Sequence, residues 1–258
     1  MISNGIPLKS ASDIAVMREG GKRLVAIIAR LVKEFKPGIT AKFLDELALE
    51  LIRAGGDRSA FLHYRPPGAR KKYPATLCVS VNDEVVHGLP NSRIFQDGDL
   101  VSLDLGLEHG GFFVDMATTI PAGKASREVQ ILLSATQEAL EHAIAAARSG
   151  KHLGDIGAAI ERTASQYRLG LVTALGGHGV GRQVHEEPMI PNFGEPGTGP
   201  ELVEGMVLAI EPMFTLGSGK VKFIPNNFAV TTADGSLAAH FEHTIAITKN
   251  GPEILTQT

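Results

Sequence analysis

Asp104 and Asp115 lie in two strand-like segments, Val101-Ser-Leu-Asp-Leu105 and Phe112-Phe-Val-Asp-Met116. The turn-forming stretch Glu108-His-Gly-Gly111 separates them. With His109-Gly110 as a two-residue hairpin loop, the two acids stand directly opposite each other. Directly opposed side chains have Cβ atoms about 5 Å apart. Two carboxylates at that spacing, flanked by Leu, Val and Phe, repel in a partly buried setting. A bound cation removes the conflict. An exposed hairpin with two hydrated acids removes it equally, so the pair alone leaves both readings open.

Three further segments carry groups of the same kind. In Gly176-Gly-His-Gly-Val-Gly181 the enclosing glycines predict room for a ligand to approach His178, and His185 follows in His185-Glu-Glu-Pro188. Either imidazole could instead be a satisfied structural group. Glu211 ends the apolar run Leu208-Ala-Ile-Glu-Pro212, where Pro212 holds it extended. A charge at the end of a buried strand needs a partner, unless the strand simply emerges into solvent there. In His240-Phe-Glu-His-Thr-Ile-Ala-Ile247, period two puts His240, Glu242 and Thr244 on one face and His243 among apolar residues on the other. A metal site must choose between Glu242 and His243, and the apolar company of His243 favours Glu242. Together the segments supply two Asp, one His and two Glu. Oxygen-rich ligands with one imidazole suit Mn, Fe, Co or Zn. Four carboxylates balance two divalent cations, whose role would be to activate water.

The elements that must position these residues are mixed. A helix is expected from Ile14 to Phe35 with Ser12-Asp13 as its cap, and another from Ala41 to Ala54, closed by Gly55-Gly56. Strands follow at Leu77–Val81, Val85–His87, Leu100–Leu105 and Phe112–Ile120. Helical periodicity returns over Ser126–Arg148 and Asp155–Tyr167. Strands are expected again at Met206–Pro212, Phe228–Thr232 and His240–Thr248. The plan of helix, Gly break, helix and strands recurs at an offset of roughly 110 residues, as a duplicated architecture would. The fold class is α+β, with helices on one face of antiparallel hairpins.

Composition narrows the setting. Of 258 residues, 43% are apolar, enough for a full core, and a net charge of −3 gives no global sign of a nucleic-acid binder. The single cysteine, Cys78, fits a reducing compartment. The opening residues show no basic segment followed by an apolar run, so no signal peptide is expected. No apolar run reaches the roughly 20 residues of a membrane span. The chain is expected to be soluble and cytoplasmic.

The ordered set Asp104, Asp115, His178, Glu211 and Glu242 resembles the metal ligands of the methionine aminopeptidases. Asn82-Asp-Glu-Val-Val-His-Gly-Leu-Pro90, Gly177-His-Gly-Val-Gly181, His185-Glu-Glu-Pro188, Ile210-Glu-Pro-Met213 and Phe241-Glu-His-Thr244 look like that family's signature segments, and the likeness begins at Ser12-Asp-Ile-Ala-Val-Met17. The short interval from His185 to Glu211 resembles type I members. The resemblance implies a pita-bread fold, in which a pseudo-two-fold repeat packs helices on a curved, mainly antiparallel sheet. It also implies one catalytic domain over 1–258 with halves at about 1–121 and 122–258. It implies removal of the initiator methionine from nascent polypeptides with two divalent metal ions (Co, Mn, Fe or Zn). Asp104 would hold one ion, His178 and Glu211 the other, and Asp115 and Glu242 both. Glu211 would serve as general base, His185 would bond the scissile carbonyl, and His87 would face the peptide nitrogen.

Tyr73 and Cys78 match positions lining the methionine pocket in that family, and Phe61 and Phe228 are plausible walls. Val184 and Phe228 depart from the aromatic residue and the Trp that relatives carry there. The basic stretch Arg65-Pro-Pro-Gly-Ala-Arg-Lys-Lys72 looks like an insertion, and its charge suggests association with the ribosome, against the simpler reading of a solvated loop. No membrane, no specific nucleic acid and a monomeric state are expected. Two rivals share the fold. A prolidase or X-Pro aminopeptidase usually carries a further N-terminal domain, for which about 100 residues before Asp104 leave no room. A non-catalytic pita-bread binding protein has lost ligands, and all five are present here.

Overall fold

The protein is seen in a computed structural model, which describes residues 2–3, 5–65, 71–224 and 228–257. Most of the basic stretch expected beside the pocket, 66–70, lies outside the described residues, as do 225–227.

Among the described residues, four helices form where the apolar spacing predicts them. The first, α1, spans Ala11–Glu34. Its cap is Ser10 rather than Ser12: the Ser10 hydroxyl accepts from the Asp13 amide while the Asp13 carboxylate accepts from the Ser10 amide. That reciprocal pair satisfies two amides which a helix start otherwise leaves open. Helix α2 spans Ala41–Ala54 behind Thr40. The third, α3, spans Arg127–Ala146 behind Ser126, and α4 spans Leu153–Tyr167. The buried stripe of α1 (Met17, Leu24, Ile28, Leu31) joins Leu44 and Ile52 of α2 over Leu103, Leu105 and Leu107 in one core. Helices α3 and α4 close a second core through Leu132, Leu140, Ile156 and Ile160 against Leu208, Ile210, Ile245 and Ile247. Among the described residues, no helix is long and apolar enough to cross a membrane.

Both cores rest on one nine-stranded sheet in which the pairings are antiparallel. Its strands run in the order Glu186–Pro191, Gly176–Gly179, Val207–Ile210, Glu242–Thr248, Phe112–Pro121, Leu100–His109 and Arg58–Ser59; Leu77–Val81 also pairs with Leu100–His109, and Gly251–Ile254 with Glu242–Thr248.

Three sequence expectations need correction. The hairpin loop is Gly110-Gly111, not His109-Gly110: His109 pairs with Phe112, and both glycines have positive φ, at 57° and 83°. Such a loop demands left-handed backbone at both positions, which two glycines supply without strain. The register therefore sets Asp104 against Ala117 and Asp115 against Gly106. The two acids are diagonal neighbours on one face instead of directly opposed.

The other two corrections concern long strands that break. The expected strand Met206–Pro212 is Val207–Ile210 followed by Met213–Thr215, interrupted at Glu211-Pro212. Pro212 has no N–H for a ladder. The expected His240–Thr248 is Ala238–His240 followed by Glu242–Thr248. On one side of each break the chain belongs to the large sheet, and on the other to a three-stranded sheet of Ala238–His240, Met213–Thr215 and Gly170–Leu171. Glu211 and Glu242 thus sit where two neighbouring chains change sheets together. Two strands that carry or flank imidazoles, Gly176–Gly179 and Glu186–Pro191, were not expected at all.

Candidate active site

The face of the central hairpin that carries Asp104 and Asp115 is buried, and their carboxyl groups interact directly. Glu242 enters from the adjacent strand opposite Ala117, and Glu211 from the sheet break. Asp115, His178 and Glu242 each bring one ligating atom within 4.8 Å of the others. His178 Nε2 lies 3.8 Å from Glu211 Oε1. All five residues expected to hold metal therefore meet in one place, and His243 does not: its Nδ1 pairs with Thr256 Oγ1 at 2.9 Å.

Burial and mutual repulsion mark this cluster electrostatically. Burial raises the Asp104 and Glu242 carboxyls well above their ordinary range, and the neighbouring carboxylates add to it. Burial, then Glu211, lifts Asp115 to about 7. Burial lifts Glu211 to about 7, against the opposing pull of His178. Asp104 Oδ1 and Glu242 Oε1 are buried without a hydrogen-bond partner. Orphaned carboxyl oxygens crowded into one buried site are what divalent cations satisfy, so the residues present fit a pair of such ions. The His178 ring agrees. Its Nδ1 lies 2.9 Å from the Gly179 carbonyl, which can only accept, so Nδ1 carries a proton and Nε2, on the carboxylate side, is the nitrogen left to ligate a cation.

The glycines around His178 serve a purpose other than the expected clearance for its ring. A Cβ on Gly177 would lie 2.2 Å from the Ala209 carbonyl oxygen, and one on Gly179 equally close to that of Glu187. They let three strands approach, and the ring is positioned by that packing.

The candidate ligands form one wall of a cavity of about 260 Å³. Phe61, Tyr73, Cys78 and Phe228, the residues expected around a methionine side chain, line it, with Val86 and Tyr64 beside them. Tyr73 and Phe228 meet edge to face with centroids 5.2 Å apart. Val184 packs with Phe61, Tyr73 and Cys78 and is buried. A wider cleft of about 780 Å³ shares His87, His178, His185 and Glu211 with the cavity and opens past Arg182, Glu187 and Met189.

His87 and His185 stand at the junction of cavity and cleft. Both rings reach the open cleft, yet enough protein surrounds them that burial, reinforced by other imidazoles, lowers their pKa values below the usual range. Both are neutral at pH 7. His87 has a φ of 60°, a left-handed conformation that a non-glycine residue holds at some expense and that recurs at functional sites.

Two residues at the site went unassigned in the sequence. His240 Nε2 lies 3.3 Å from Glu211 Oε2 and 3.9 Å from Glu242 Oε2. Its shared face with Glu242 was readable from the alternation, but nothing marked it as a neighbour of Glu211. Tyr64 places its hydroxyl 2.7 Å from His185 Nδ1, and it had no periodic or motif signal.

A model described as metallopeptidase family M24 matches residues 15–249. A methionine aminopeptidase of Aquifex aeolicus is 45% identical over 257 residues, covering 98% of this chain and 99% of that one. The crystal structure of a methionine aminopeptidase from Thermotoga maritima superposes with a TM-score of 0.92 at 40% identity, covering 98% of this chain and all of that one. A prolidase from Pyrococcus furiosus gives a TM-score of 0.76 at 23% identity and is covered over 65% of its length, a likeness of fold alone.

Proposed function

This chain belongs to metallopeptidase family M24, and we propose that it removes the N-terminal methionine from new polypeptides. It has the pita-bread fold and is a metal-dependent aminopeptidase with a site for two divalent ions. The observation that carries the substrate assignment is a single cavity joining five ligating side chains to an apolar pocket of Phe61, Tyr73, Cys78 and Phe228. An unbranched, polarizable thioether suits a pocket of aromatic and sulfur neighbours. A prolidase reading has no such support, since the relatives that match over full length are methionine aminopeptidases.

When bound, the two cations supply a water of lowered pKa and polarise the scissile carbonyl. Asp104, Asp115, His178, Glu211 and Glu242 would hold them. Four carboxylates offset the four positive charges. Glu211, ionised beside the cations, would accept the proton of the attacking water. His185 donates to the carbonyl oxygen as negative charge develops there. His87 faces the departing peptide nitrogen. A free α-amino group on the substrate would reach the metal site, which explains cutting after the first residue alone. Residues 1–121 and 122–258 form two halves of one catalytic domain, a reading supported by the two helix pairs on one sheet. New N-termini arise in the cytoplasm, which is where this reading puts the enzyme.

A peptide panel tests the substrate assignment. Norleucine-Ala-Ser is expected to be cut within about tenfold to a hundredfold of Met-Ala-Ser, because one methylene discriminates by only about 1–3 kcal/mol. Lys-Ala-Ser and Asp-Ala-Ser are expected to resist, since the pocket has no partner for a buried charge. Small second residues are expected to be preferred, with Val and Thr tolerated above the buried Val184. Efficient cleavage of Lys-Ala-Ser would refute the pocket while leaving the metal chemistry standing.

A further inference from the structure

His178 and His185 are neighbouring imidazoles, their ring centroids 4.3 Å apart, and the proposed reaction needs opposite things from them. His178 must offer a lone pair at Nε2. His185 must offer a proton to a carbonyl oxygen. A neutral imidazole has one N–H and one lone pair, and the partner at one nitrogen decides the state of the other.

The two rings differ in that partner. His178 Nδ1 faces the backbone oxygen of Gly179, an obligatory acceptor, so its proton sits on Nδ1. His185 Nδ1 faces the Tyr64 hydroxyl at 2.7 Å, with the two rings tilted at 31° and 5.2 Å between centroids. A phenol can donate or accept. Here donation is the stronger arrangement: a phenol O–H is the more acidic donor, and a bare imidazole nitrogen a better acceptor than a phenol oxygen. The His185 proton is then left on Nε2, on the opposite edge of the ring from Tyr64.

We propose that Tyr64 is a positioning residue for the reaction: its hydroxyl holds His185 as the Nε2–H tautomer, making it a hydrogen-bond donor to the substrate carbonyl and withholding it from the metal ions that His178 serves. The inference rests on the reading of His185 as the carbonyl donor. Without the phenol, a fraction of His185 rings carry the proton on Nδ1 and expose a lone pair at Nε2. Those rings cannot donate to the carbonyl, and they compete with His178 for a cation.

The test is nitrogen NMR of enzyme labelled with ¹⁵N-histidine and loaded with diamagnetic Zn, with His185 assigned by the signal lost in His185→Gln. Wild type is expected to show a protonated Nε2 and an unprotonated Nδ1 at His185, and the reverse pattern at His178. In Tyr64→Phe the His185 shifts are expected to move toward a mixture of tautomers. Turnover of Met-Ala-Ser should fall about tenfold to a hundredfold, the usual effect of losing an orienting partner, with KM changing far less. A wild-type His185 protonated on Nδ1 overturns the proposal whether or not the variant folds. An unchanged tautomer in folded Tyr64→Phe also overturns it. A shifted tautomer with undiminished turnover would instead refute the carbonyl role of His185, which His185→Ala tests separately.

Discussion

Four carboxylates and several imidazoles share one pocket, and the chemistry follows from how each group's charge is satisfied. The orphaned oxygens of Asp104 and Glu242 and the raised carboxyls of Asp115 and Glu211 describe acids that bound cations would leave ionised. His185 differs, because its neighbours leave it neutral and bonded to a phenol. The two kinds of residue should separate on mutation. Asp115→Asn and Glu242→Gln are expected to abolish hydrolysis and to leave the folded protein without its full metal content, read by elemental analysis. His185→Ala is expected to lower turnover by about 10²–10³, the loss expected of one oxyanion donor, with metal content unchanged. If His185→Ala loses metal as severely as His178→Ala, their roles have been exchanged.

Secondary elements carry these side chains to one place through register and through breaks in the ladder. The hairpin offset of Asp104 and Asp115 depends on which two residues make the turn, and Gly110-Gly111 fixes it. Helices were legible in the sequence because apolar spacing and caps are local; the cap of α1 moved from Ser12 to Ser10, α3 ends at Ala146 rather than Arg148, and α4 begins at Leu153 rather than Asp155. The candidate ligands were legible too, since Asp, Glu and His beside apolar strands are few. What escaped were properties set by neighbours distant in sequence. Gly176–Gly179 has no side-chain alternation to announce a strand, and Tyr64 meets His185 only once the chain has folded. The same crowding gives a test. In Gly177→Ala the new Cβ meets the Ala209 backbone oxygen, which cannot rotate away. Urea melts of this variant are expected to show a loss of about 1–3 kcal/mol or more, as in other overpacked interiors, with His178 displaced and metal affinity weakened. Stability and affinity like those of wild type would mean that the strand carrying His178 is not clamped as described.

Over the whole molecule, two helix-covered cores hold a sheet whose buried centre is acidic, and folding and metal binding are coupled through protons. In the metal-free protein Asp115 and Glu211 titrate near 7. In the unfolded chain they titrate near about 4. Between those values the folded state holds more protons, so these groups make the metal-free protein less stable as pH rises through that window. Bound cations require ionised carboxylates and remove that loss, releasing protons as they bind. His87 and His185, with lowered pKa values, act in the opposite sense but alike in both forms, so they cancel in the difference. The gain in melting temperature on adding saturating divalent metal is therefore expected to grow from about pH 5 to about pH 7. A gain that is flat or shrinks across that range, followed by calorimetry, would contradict the ionisation states assigned to the site.

The most direct measurement is hydrolysis by metal-stripped protein titrated separately with Mn, Fe and Co. Met-Ala-Ser cleavage is expected to be absent without metal and restored by at least one of these ions, with release of free methionine and no cleavage of an Ala-Pro peptide. Undiminished Met-Ala-Ser cleavage by the stripped protein, or restored activity confined to Ala-Pro, would contradict a dinuclear-metal methionine aminopeptidase.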